Sequence, residues 1–223
     1  GTINAEVTIW NSDGSQAETC GNGLRCAALR LLEDEHWDGN APLTLHPPAG
    51  PTPVHRTPRH QGDDPWFEIT MGRPQLGENV HENIAVGHQS IGGQRVSMGN
   101  PHFVVFEAQQ AQPLPPLGEW APQVATSPSF NDGTNVEWVQ ISGKAQLTIR
   151  VWERGVGETQ ACGSGACAAA AAARRQGLCT ADSIEVILPG GPLRVSWDGR
   201  SDSPATLAGP ARSVFHGTWT EKR

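Results

Sequence analysis

No long basic run interrupts this 223-residue chain, in which 16 Lys and Arg stand against 23 Asp and Glu for a net charge of −7. Such a balance offers little grip to a polyanion or an anionic bilayer, so neither nucleic acid nor membrane is expected as a partner. No apolar stretch is long enough to cross a bilayer: the longest, residues 166–173, is short and mostly alanine. The chain opens Gly1-Thr2-Ile3-Asn4, without the basic and apolar regions of a secretory signal. A disulfide framework is missing too. Five cysteines are an odd count with no paired spacing, which points to free thiols in a reducing, cytosolic setting. Cys20 and Cys26 are six residues apart and Cys162 and Cys167 five, so neither pair shares a helix face. The eight histidines form no His-Glu-x-x-His pattern, and no metal site is expected.

What the chain does have is one phrase written twice. Glu18-Thr19-Cys20-Gly21-Asn22-Gly23 and Glu158-Thr159-Gln160-Ala161-Cys162-Gly163-Ser164-Gly165 each set a cysteine before a Gly-x-Gly turn. An alanine-containing helical run follows each. A cysteine at a helix mouth meets the positive end of the macrodipole and unpaired first-turn N–H groups. Its thiol is expected to fall from about 8.5 toward neutrality. One such cysteine would be a nucleophile or redox thiol. Two in matching settings read as a pair, one base and one acid.

Hydrophobic pattern and turn residues place strands at 6–10, 43–45, 53–56 and 66–71, with a helix from about 23 to 32. The polar, turn-rich stretch 72–87 is the expected domain boundary. Beyond it, strands are expected at 95–98, 103–106, 135–141 and 146–153. Residues 109–128, rich in proline, read as a loop with one helical turn at most. The alanine-rich helix then leads to strands at 184–188 and 193–197. Strand, turn, cysteine, helix and strands thus occur in that order twice.

Simpler readings exist for each of these features. Gly163-Ser164-Gly165-Ala166-Cys167-Ala168 fits a relaxed dinucleotide fingerprint, but a long loop separates it from the preceding strand and Asp182 is misplaced. Cys26, Cys167 and Cys179 read as small core residues. Glu153-Arg154 would ordinarily be a solvated pair, His102 a surface histidine, and Asn11, Asn100 and Asn135 turn residues. Arg154 gains interest because it precedes the cysteine loop, where a guanidinium could grip a carboxylate bidentately.

Taken together, the motifs resemble the diaminopimelate epimerase family. Asn11-Ser12-Asp13-Gly14-Ser15 followed by Cys20-Gly21-Asn22-Gly23-Leu24-Arg25-Cys26 is similar to that family's first signature. Ser97-Met98-Gly99-Asn100-Pro101-His102, Gly133-Thr134-Asn135-Val136-Glu137 and Glu153-Arg154-Gly155 resemble the later ones, in order. Pro189-Gly190-Gly191 and Gly209-Pro210-Ala211 are also similar. The resemblance implies an α+β fold of two pseudo-symmetric domains, each a strongly curved, mostly antiparallel sheet around a central helix. The implied halves are residues 1–78 with 212–223, and residues 79–211, with the active site between them. It implies Cys20 and Cys162 as acid–base residues and Gly21, Asn22, Gly163 and Ser164 as donors to an α-carboxylate. Asn11, Asn100, Asn135, Glu153 and Arg154 would hold the substrate, with His102 and Glu153 tuning the thiols. A small amino-acid substrate, no cofactor, a cytoplasmic location and a homodimer complete the expectation.

One departure stands out. Family members begin with a strand and a Gly-Asn-Asp-Phe-type loop ahead of the first signature, and this sequence shows neither. It is expected to start late, to be a natural truncation, or to have the missing segment supplied otherwise.

The implied chemistry suits two thiols. Inverting an α-carbon needs a base on one face and an acid on the other, and no pyridoxal-binding pattern is evident. Helix-start donors aimed at the α-carboxylate would oppose the charge that develops on deprotonation. Proline racemases share the thiol pair but usually carry histidine where Asn22 stands, and phenazine-type isomerases lack the pair. Other racemases of this fold, a non-catalytic binding remnant and a redox dithiol are the competing readings.

Overall fold

The computed structural model describes residues 1–10, 14, 16, 20–58 and 62–218. Asn11 lies outside the described residues, as do Glu18 and Thr19. The chain forms two compact units, Gly1–Glu68 with Gly209–Arg223, and Ile69–Ala208. No described helix is long and apolar enough to cross a membrane.

In the first unit, β1 (Ile3–Glu6) lies parallel to β2 (Leu43–His46), which pairs antiparallel with β3 (Thr52–Thr57). β4 (Trp66–Gly72) carries the chain into the second unit. The first strand falls earlier than its expected place at 6–10. Trp10 makes only an isolated bridge with Gln16, because Ile3 and Ala5 are the residues in register with Leu43 and Leu45. The helix α1 (Gly21–Glu33) buries Leu24, Ala28 and Leu29 on one face. Cys26 is exposed, which corrects its reading as a core residue. It lies off the stripe formed by those three positions.

The second unit is built around a helix. Its elements are β5 (Gln75–Leu76), β6 (Glu82–Val86), β7 (Gln89–Ser97), β8 (Pro101–Phe106), α2 (Leu117–Ala125), β9 (Asn135–Gly143), β10 (Gln146–Glu153), β11 (Gly157–Thr159), α3 (Gly163–Arg175), β12 (Ser183–Leu188), β13 (Gly191–Ser196) and β14 (Ala205–Pro210). β14 leads back to the first unit. Hydrogen-bonded neighbours run β14-β13-β12-β10-β9-β8-β7-β5. Two of the pairings, β8 with β9 and β10 with β12, are parallel and the rest antiparallel. The expected boundary at 72–87 is occupied by β5 and β6, both hydrogen-bonded to β7, so the units divide ahead of it.

α3 packs on β7, β8, β9, β10, β12 and β13. Residues 166–173 are all buried, and their small side chains let the helix lie close to strands on every side. Alanine also has the strongest helix propensity. The helix ends in a Schellman motif at Gly177, where Leu178 N–H donates to Ala173 and Gly177 N–H to Arg174. α1 ends the same way, with His36 donating to Leu31 and Glu35, at φ 59°, in the glycine position.

The opposite face of β6–β9 is covered by α2. Leu117, Trp120, Ala121 and Val124 pack there with Ile84, Ile91, Phe103, Val105 and Val136. The proline-rich sequence predicts a loop with one helical turn here, where the structure has a helix of nine residues. Pro122 removes a donor from its interior, yet the spacing of the buried residues makes an apolar stripe that tertiary packing stabilises. With helices on both faces, β8 is apolar throughout Phe103–Phe106.

Candidate active site

Each cysteine of the repeated phrase caps a helix. Cys20 precedes α1 with φ −135° and ψ 104°, and Cys162 precedes α3 with φ −132° and ψ 108°. Each carbonyl accepts the first helical bond, from Leu24 N–H at 3.0 Å and from Ala166 N–H at 3.0 Å. Both helices have 13 residues. The same backbone device is thus built twice.

In the first unit, the Cys20 sulfur accepts from Gly23 N–H at 3.5 Å. A side chain on Gly23 would come within 2.5 Å of Ile9, which explains the second glycine of the turn. Arg25, to which the sequence assigned no role, is buried under this turn. Its guanidinium donates to Asn22 Oδ1 at 2.9 Å and to the carbonyls of Gly21 and Pro210 at 3.4 Å each. The turn is therefore braced from below by a charged fork.

In the second unit, strand alternation brings the remaining residues to one face. His102 is in register with Asn135 and Val104 with Glu137, on the adjacent parallel strands β8 and β9. Phe103, Val105 and Val136 face α2, so His102, Asn135 and Glu137 face α3. His102 Nδ1 lies 2.6 Å from Glu137 Oε1, with both side chains fully buried. His102 Nε2 lies 3.0 Å from Asn100 Oδ1, and Asn100 Nδ2 donates to Ser164 Oγ at 3.5 Å. Ser164 Oγ is in turn 3.5 Å from the Cys162 sulfur. A chain of contacts thus runs from Glu137 to the mouth of α3. His102 is buried, which corrects its ordinary reading as a surface residue.

Asn135 and Arg154 form a second cluster. Asn135 donates to the Pro101 carbonyl at 3.1 Å and accepts from Arg154 N–H at 2.9 Å. The Arg154 guanidinium donates to the Asp132 carbonyl at 2.9 Å, beside a pocket also lined by Arg95 and Ser129. Glu153 accepts from the Thr159 hydroxyl at 2.5 Å.

The electrostatics of Cys162 differ from expectation. Instead of falling toward neutrality, its thiol is pushed up to about 12. Burial is the main cause, and the carboxylates of Glu153 and Glu137 add to it. Ser164 and the Gly165 N–H oppose the rise without overcoming it. A helix N-terminus stabilises a thiolate, but at 6% exposure the lost hydration outweighs it. Burial likewise raises Glu137, against the pull of His102.

Glu137 and Thr159 escaped notice in the sequence although both stand inside quoted motifs. The available signal was a carboxylate embedded in an otherwise apolar strand, Val136-Glu137-Trp138-Val139.

The diaminopimelate epimerase family profile matches residues 95–214. A diaminopimelate epimerase from Xanthomonas euvesicatoria is 40% identical, over 96% of this chain and 76% of its own length. One from Halothermothrix orenii is 36% identical, over 95% and 76%. Among solved structures, a probable proline racemase from Agrobacterium radiobacter superposes with a TM-score of 0.69 at 15% identity, covering 92% of this chain and 68% of that one. A hydroxyproline epimerase from Agrobacterium vitis gives 0.66 at 16%, with the same coverage. These distant likenesses establish the fold, and the sequence matches go further. The chain belongs to the diaminopimelate epimerase family.

Proposed function

We propose that this protein interconverts LL- and meso-2,6-diaminopimelate by exchanging one α-proton between two thiols, as a step of lysine and peptidoglycan-precursor biosynthesis. The observation that carries the reading is the duplicated helix mouth, with Cys20 and Cys162 at nearly identical backbone angles. One thiolate removes the α-proton and the other thiol returns a proton to the opposite face. The thiol of Cys162, held protonated by burial and by its carboxylate neighbours, is suited in the free protein to the acid role. The roles of the two thiols exchange in the reverse direction.

The first-turn N–H groups at Gly21, Asn22, Gly163 and Ser164 would receive the α-carboxylate and oppose the charge that builds on it. Each well-placed donor of this kind contributes roughly 10²–10³ in rate. At the distal end, Arg154 offers a fork to the second carboxylate, with Asn135 holding its backbone in place. Asn11 joins the substrate set by resemblance alone. The reading carries with it a cytoplasmic site of action and a homodimer, which light scattering on the purified chain tests.

The direct test incubates LL-diaminopimelate with the chain in deuterated water and follows the α-proton signal by NMR. Loss of that signal together with appearance of the meso isomer is expected. Absence of both from folded protein would remove the proposal.

A further inference from the structure

Glu153 leaves strand β10 at its last residue, where nothing in the strand itself fixes the side chain. The hairpin that follows does. β11 runs antiparallel to β10, with Trp152 opposite Glu158 and Val151 opposite Thr159. The residue directly opposite Glu153 is Gly157, which has no side chain and sits at φ 105°. Across that empty position Thr159 reaches diagonally, and its hydroxyl donates to Glu153 Oε1 at 2.5 Å. On the other face of the hairpin, Arg150 grips Glu158 bidentately at 2.7 and 2.9 Å. Neighbouring residues of a three-residue strand thus do different work. Glu158 fastens the hairpin on its outer face, and Thr159 restrains the carboxylate on the face of buried Val151.

We propose that Thr159 is a positioning residue for the cysteine at the mouth of α3, its hydroxyl fixing the Glu153 carboxylate so that the negative charge stays beside the Cys162 sulfur. The inference rests on the reading above only in treating Cys162 as an acid–base residue. Three observations support it. Thr159 lies three residues before Cys162 in the chain, so only Gln160 and Ala161 separate the hairpin from the helix mouth. A threonine hydroxyl can donate one hydrogen bond, and here it goes to one oxygen of a carboxylate that other groups in the hairpin leave alone. Glu153 is also the foremost charge acting to keep Cys162 protonated. Among the described residues, the other ionisable groups acting on that sulfur are Glu137 from β9 and, through it, His102 from β8.

The test compares Thr159→Val, which keeps the shape and loses the hydroxyl, with Thr159→Ser, which keeps the hydroxyl. Cysteine labelled with ¹³C at Cβ reports the titration of each thiol in the full chain by NMR. The Cys162 signal is assigned by its loss in Cys162→Ser. Thr159→Val is expected to lower the Cys162 midpoint by roughly half a pH unit or more, and Thr159→Ser to restore it. Glu153→Gln should lower the midpoint at least as far, and adding Thr159→Val to it should change nothing more. An unchanged midpoint in Thr159→Val would overturn the proposal. So would a serine variant that behaves like valine, because volume and not the hydroxyl would then matter. Thr159→Ala takes the place of valine in the same comparison should the valine variant not fold. The titration needs no substrate, so its outcome is separate from any failure of the parent chain to turn over diaminopimelate.

Discussion

Gly165→Ala separates the demands of the helix from those of the site. In an ordinary helix, alanine in place of glycine gains up to about 1 kcal/mol. At residue 165 the added Cβ would stand 2.8 Å from Glu137 Oε1 and 3.4 Å from the Cys162 sulfur. The first distance is too short, and the carboxylate cannot easily give way. It is sealed from solvent and tied to His102 at 2.6 Å. Either the pair shifts or the mouth of α3 lifts away from β9. Overpacking of this kind costs about 1–3 kcal/mol, enough to cancel or outweigh the helical gain. The larger effect falls on chemistry, since a misplacement near 1 Å can cost about 100-fold in rate. Gly118→Ala in α2 is the control, because its Cβ would meet only Trp152 at 3.8 Å, an ordinary contact. Urea unfolding and LL-diaminopimelate turnover are measured on both variants. Gly118→Ala should hold or gain stability with parental turnover. Gly165→Ala should gain none and lose turnover at least about tenfold. Equal stabilisation of both variants with full turnover in each would refute the argument.

Two further outcomes follow from charge. Cys162 is displaced from an ordinary value of 9.0 to about 12, so on raising the pH the unfolded chain ionises first. The associated stability is fully present below about pH 9 and is lost toward pH 12, by roughly 1.4 kcal/mol per pH unit. Urea unfolding at pH 8 and pH 10 should show a shallower loss for Cys162→Ala than for the parent, and equal losses would contradict the burial argument. Arg154→Lys should raise KM for diaminopimelate strongly while exchange of the bound substrate's α-proton persists in part, because an ammonium cannot reproduce the bidentate fork. An unchanged KM would take Arg154 out of the substrate site.

The two helix mouths were legible in the sequence because their signal is local. A cysteine before Gly-x-Gly and an alanine-containing run marks a helix start within a few residues, and both caps stand at that phrase. Strands with clear alternation, such as Gln146–Glu153, were equally plain. What escaped depends on partners distant in the chain. β14 is alanine, glycine and proline for two-thirds of its length, and it is a strand because Arg194, Val195 and Ser196 of β13 pair with it. α2 hides behind Pro122 and the prolines around it, and its stripe has meaning only against the face of β6–β9. The rise at Cys162 was out of reach for the same reason. Helix position predicts a fall, and only the packed strands reveal the burial and the carboxylates that reverse it.

The central claim, that two thiols divide one proton transfer by face, is tested most directly by the variants Cys20→Ser and Cys162→Ser. Serine is too weak an acid to cycle as the thiol does, so each variant should lose epimerisation almost entirely. Each should nevertheless eliminate a β-leaving group from an analogue of diaminopimelate, since that reaction needs deprotonation on one face only. With both epimers of the analogue supplied, the two variants should select opposite α-configurations. The same preference in both variants, or full epimerase activity in either, would contradict the account.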